Sequence, residues 1–98
     1  MPLSNLSLSK NDEALLNGLL KKYLKNADFY AFGSRAQGKA KKYSDLDIAY
    51  TLKGENNIFL LQDEICDSDI SITVDFVNLN DISQDFMTLI KGHMIKLY

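Results

Sequence analysis

Leucines recur along the first quarter of the chain at Leu15, Leu16, Leu19, Leu20 and Leu24, a spacing that lays them on one side of a helix. Ser9, followed three residues later by Asp12, resembles a capping box, so an amphipathic helix is predicted from about Lys10 to Lys25 with its leucine stripe in a core. Phe29 to Phe32 reads as a short aromatic strand ending at Gly33, and Ser34 to about Ala40 suits a short helix or turn. From Asp45 to Thr51 the letters alternate: Leu46, Ile48 and Tyr50 face one way, and Asp45, Asp47 and Ala49 the other. Ile58 to Ile65 looks helical. Ile70 to Leu79 alternates again, with Ile70, Ile72, Val74 and Phe76 opposite Ser71, Thr73, Asp75 and Val77. Asn80 is placed to cap a last helix over roughly Asp81 to Lys91, Gly92 to end it, and Met94 to Tyr98 to return as an edge strand. The expected fold is α/β (α+β): a mixed sheet with helices packed on its apolar face and acids on the other.

Composition narrows the class. The 98 residues are one domain's worth of chain, residues 1–98, and 46% hydrophobic with 24% charged residues is ordinary for a globular protein. A lone Cys66 gives no internal disulfide framework, no apolar run is long enough for a membrane span, and the amino terminus lacks the pattern of a secretory signal. A cytoplasmic protein with no membrane partner is expected. Net charge −2 disfavours broad nucleic-acid binding, although Arg35, Lys39, Lys41 and Lys42 cluster in a local basic patch that could meet a small phosphate ligand.

The acids carry the chemistry. Two residues apart on a strand, Asp45 and Asp47 point to the same face. Unit charges about 4 Å apart repel by roughly 4 kcal/mol at an effective dielectric near 20, so the pair needs protonation, a basic side chain or a bound cation. Oxygen-only ligands on a rigid strand suit Mg²⁺, which keeps water and substrate phosphate in its shell. Asp75 lies on the polar side of a second strand; if the two strands are close, three carboxylates converge, enough for two divalent ions with one acid left to accept a proton. Each acid alone reads equally as part of a solvated strand face. Upstream, Gly33 permits close backbone approach to a ligand, Ser34 adds a hydroxyl and Arg35 a fork suited to phosphate oxygens. Together these parts describe metal-assisted nucleotidyl transfer, with in-line attack on an α-phosphorus.

Gly33-Ser34, then Asp45-Leu46-Asp47, then Asp75 within "ITVDFVNL", resembles the DNA polymerase β-like nucleotidyltransferase superfamily, and most of all its minimal nucleotidyltransferases, the MNT-domain antitoxins of prokaryotes. The resemblance covers most of the chain. It implies a polymerase β-like fold, Gly33 and Ser34 as the triphosphate-binding turn, Asp45 and Asp47 as metal ligands, and Asp75 as third carboxylate and candidate general base. It also implies ATP as substrate, two Mg²⁺ ions, and a hetero-oligomer with a HEPN-domain ribonuclease toxin, a tyrosine of which receives AMP. Gln37 stands where many relatives carry arginine. Two other readings remain open: an antitoxin that works by contact alone, and a transferase acting on RNA ends. His93 has no matching His or Cys and reads as a surface or edge-strand residue. Cys66 reads as a helix-face filler, and the tyrosines as core or rim.

Overall fold

In a computed structural model, which describes residues 2–98, the leucine-rich segment folds as helix α1, Lys10–Lys21, after a 3-10 turn at Pro2–Leu6. The Ser9 hydroxyl accepts the Asp12 amide at 3.1 Å and caps α1. The helix stops short of Lys25 because the Lys22 and Tyr23 amides bond to carbonyls three residues back and tighten the last turn. Strand β1, Ala27–Phe32, runs directly into the single turn of α2, Gly33–Ala36. Then come β2, Leu46–Leu52; α3, Phe59–Cys66; β3, Val74–Asn78; α4, Gln84–Lys91; and β4, Ile95–Leu97.

The sheet order is β3-β2-β1-β4, with β1 antiparallel to both β2 and β4, and β2 parallel to β3. Phe29 and Ala31 of β1 and Leu46 and Ile48 of β2 lie on one face, fully buried against Leu16 and Leu20 of α1 and Leu61 and Ile65 of α3. Each such leucine contributes about 1.5–3 kcal/mol by leaving water. The other face is not left to the acids alone. Ile90 of α4, with Phe86 and Met87, packs on Phe32, Ala49 and Val77, so helices cover both faces. The reason lies in the polar-side positions of the strands, which are acidic at one end and apolar at Ala49 and Val77.

Two further boundaries moved for identifiable reasons. Ile70 and Ile72 pack on the core as the alternation predicts, but β3 begins only at Val74. The Asp12 carboxylate accepts both the Ser71 amide (2.9 Å) and its hydroxyl (2.6 Å), which draws that stretch to the start of α1 instead of the sheet. Burial pushes the Asp12 carboxyl up, but the Ser71 and Ser9 hydrogen bonds and the Arg35 charge outweigh it and leave it below its ordinary value. Asn78 folds the next turn: its side chain accepts the Asn80 amide and its carbonyl the Asp81 amide. The cap of α4 is therefore Ser83, whose hydroxyl accepts the Phe86 amide at 3.1 Å, rather than Asn80.

Arg35 ties three segments together. It is 2% exposed. Its Nη1 donates to the Ser7 (2.8 Å) and Leu6 (3.2 Å) carbonyls, and its Nε and Nη2 to Ser44 (3.0 and 2.8 Å). Nη2 also reaches the Lys42 and Lys41 carbonyls at 3.3 and 3.5 Å. The 3-10 turn, α2 and the approach to β2 are thus joined through one side chain. Arg35→Met should lower stability by about 3 kcal/mol or more, since it leaves buried carbonyls without donors. Arg35→Lys should recover little, because an ammonium cannot reproduce the planar fork. Urea unfolding midpoints measure both, and a loss under about 1 kcal/mol for Arg35→Met would refute the structural role.

Candidate active site

Strand register brings the motif residues together. Phe32, the last residue of β1, pairs with Asp47 of β2, and Asp47 pairs in turn with Asp75 of β3. Neighbouring strands lie about 4.8 Å apart, so the two carboxylates emerge side by side on one face. Gly33 follows Phe32 with φ of +77°, a left-handed backbone that glycine adopts without strain. A Cβ there would stand 3.3 Å from the Asp47 Cγ and overlap its Oδ2. Glycine is required twice at this position, for the turn and for the approach of the turn to the acid.

Asp47 is half-buried, whereas Asp45 and Asp75 are exposed. Burial first, then the charges of Asp75 and Asp45, raise the Asp47 carboxyl above its ordinary value of 3.8. No basic side chain offsets this among the described residues, where the ion pairs are Lys22–Glu64 and Lys53–Asp28. Asp45 precedes the ladder, whose first β2–β3 pair is Leu46 with Val74, so it has no partner on β3. Its place is set by the chain, since the neighbouring Ser44 carbonyl is held by Arg35. Among the described residues no three Asp, Glu, His or Cys side chains are drawn into one metal-holding group. The expected closed triad is instead an adjacent pair, Asp47 and Asp75, with Asp45 at the mouth of the strand. These donors fit a hard divalent cation: all are oxygens, and the uncompensated charge around Asp47 is what a cation would relieve.

Ser34 lies in α2, half-buried, with its carbonyl accepting the Gln37 and Lys39 amides. The Gln37 side chain folds back to donate to the Gly33 carbonyl at 3.3 Å. Arg35 is a correction. The fork expected to meet phosphate points into the protein, where backbone carbonyls take its donors. Helix α4 walls the site on one side, with the Phe86 ring edge-on to Phe32 at 5.9 Å between centroids. A groove of about 440 Å³ between α1 and α3 lies on the opposite side of the sheet.

His93 is also a correction. It is half-buried, and its Nε2 accepts the Gly33 amide at 3.0 Å. No motif spacing could have found it, because the signal is the placement of β4 beside β1.

The glycine turn packed against paired strand acids, on a mixed sheet with this order, defines the class. The chain belongs to the polymerase β nucleotidyltransferase family, whose model, "Polymerase beta, Nucleotidyltransferase", matches residues 15–98, and it is a minimal nucleotidyltransferase. It is 34% identical over 92 residues to the probable protein adenylyltransferase MntA of Haemophilus influenzae, covering 90% of this chain and 80% of that protein. Among solved structures, a toxin–antitoxin with AMP-PNP superposes with a TM-score of 0.65 at 27% identity, covering 88% of this chain and 72% of that one. A nucleotidyltransferase structure from Sulfolobus solfataricus, described there as putative, shares the fold at 20% identity and a TM-score of 0.50, covering 99% and 82%.

The raised carboxyl of Asp47 has a consequence for stability. A group whose folded pKa exceeds its unfolded value favours folding at low pH, and that contribution is lost as pH rises from about 3.8 through the folded value. Asp47→Asn should therefore raise the thermal midpoint at pH 7 in metal-free buffer, and the gain should vanish as pH falls below 3.8. Calorimetry at both pH values checks this; a variant no more stable than wild type at pH 7 would mean that repulsion at Asp47 is already neutralised.

Proposed function

We infer that this nucleotidyltransferase is the antitoxin of a toxin–antitoxin pair, and that it moves AMP from ATP to a tyrosine of a HEPN-domain toxin in the cytoplasm. The observation that supports this reading is the close approach of the Gly33 backbone to Asp47, which sets the glycine turn directly on the acid row. The activity in the name of the Haemophilus influenzae relative and the AMP-PNP in the toxin–antitoxin relative support adenylyl transfer and a protein partner.

In this reading the Gly33-Ser34 turn orients the β- and γ-phosphates, with Gly33 leaving room for them and Ser34 donating its hydroxyl. Asp45 and Asp47, joined by Asp75, would hold two Mg²⁺ ions, which supply neutralisation of the triphosphate charge. The acceptor phenol oxygen forms a bond to the α-phosphorus while the bond from that phosphorus to the pyrophosphate oxygen breaks. Pyrophosphate leaves, and the phenol proton passes to Asp75. Exposure suits Asp75 to this role, since a protein acceptor must reach it. Nothing covalent forms on the chain; it positions the reactants.

Contact-only inhibition is the second reading, favoured by the exposed Phe59 and Leu60 at the start of α3. Transfer to RNA ends has less support, because the chain carries net charge −2.

Intact-mass spectrometry of the toxin after incubation with this protein, ATP and Mg²⁺ separates these readings. One or more AMP units should appear with wild type and none with the Asp45→Asn/Asp47→Asn variant, which should fold normally. A toxin silenced without mass gain would establish inhibition by contact. Asp75→Asn should lower kcat by about a hundredfold or more while leaving ATP affinity nearly unchanged. A change confined to KM would remove Asp75 from the proton-accepting role.

A further inference from the structure

The antiparallel pairing of β1 with β4 runs from Phe29 with Leu97 to Ala31 with Ile95. Two residues further along the same register, Gly33 falls opposite His93. The backbone ladder does not extend that far, because the His93 amide donates to the Ile90 carbonyl at the end of α4 (3.1 Å). The imidazole takes over instead: Nε2 accepts the Gly33 amide at 3.0 Å, across 60 positions of sequence. Accepting at Nε2 requires a neutral ring with its proton on Nδ1. Gly33 is thus held from two sides, by the His93 ring toward β4 and by the Asp47 carboxylate against its Cα. The residue ahead of it is held too, since Phe32 packs on Phe86 of α4. Gly33 has no side chain with which to fix its own backbone, so its left-handed conformation depends on these neighbours.

We propose that His93 is a positioning residue of the nucleotide site, holding the Gly33 amide so that the phosphate-binding turn is set before ligand arrives. The proposal rests on the reading of Gly33-Ser34 as a triphosphate turn. His93 touches neither phosphate nor metal in this role; it acts through the glycine, and it makes nucleotide affinity depend on the junction of α4 with β4.

The test compares wild type, His93→Leu and His93→Gln by calorimetric titration with AMP-PNP and Mg²⁺. Leucine removes the acceptor; glutamine restores one at similar reach through its side-chain carbonyl. His93→Leu should bind about tenfold more weakly, and His93→Gln should return to within about threefold of wild type. Unchanged or tighter binding by His93→Leu overturns the proposal, as does an equal loss in both variants, which would mark a packing role. Failure of the wild type to bind AMP-PNP would overturn the nucleotide reading itself, a distinct result. Amide hydrogen exchange in the unsubstituted protein reads the bond without any variant: Gly33 should be protected, and exchange at the rate of an open loop would refute it.

Discussion

An adjacent pair of carboxylates, Asp47 and Asp75, with Asp45 at the mouth of the strand and no basic side chain among the described residues to offset them, is the constraint around which this fold is arranged. At an effective dielectric near 20, unit charges about 5 Å apart still repel by roughly 3 kcal/mol. A flexible surface would let the side chains swing apart. Here the pairing of β2 with β3 sets the origins of Asp47 and Asp75, and the close approach of Gly33, which follows Phe32 beside Asp47, confines Asp47 further. The repulsion is held in a rigid frame, and a divalent cation would relieve it.

Arg35 shows why the frame remains charged. It is the nearest cation in sequence to the glycine turn, yet it is buried with its donors committed to the Leu6, Ser7, Lys42 and Ser44 carbonyls. A salt bridge to the acids would have quenched the site. Bound to backbone instead, the guanidinium fixes the chain just ahead of Asp45 and contributes position in place of neutralisation. Helix α4 acts similarly from the other side, packing Phe86 on Phe32 and delivering His93 to the Gly33 amide.

Much of this was legible in the order of residues. Alternation separated Leu46, Ile48, Val74 and Phe76 from Asp47 and Asp75, and the helices over α1, α3 and α4 each appeared within a few residues of their predicted ends. Two of the boundary differences came from side chains that bond to backbone: Asp12 drawing Ser71 off the sheet, and Asn78 folding a turn ahead of Ser83. Arg35 could not be assigned from its place beside Gly33-Ser34, because a guanidinium pointing out from the glycine turn and one folded beneath it have the same letters.

The sequence by itself determined the elements, the face on which Asp47 and Asp75 stand, and the glycine that a close approach demands. Periodicity and backbone sterics act over a few residues, so they can be read locally. Which strands are neighbours, that α4 crosses to the acid face, where Arg35 points and that His93 meets Gly33 were decided only by the tertiary structure. Those contacts join segments far apart in the chain, and packing selects them by shape and hydrogen-bond satisfaction that no local spacing encodes.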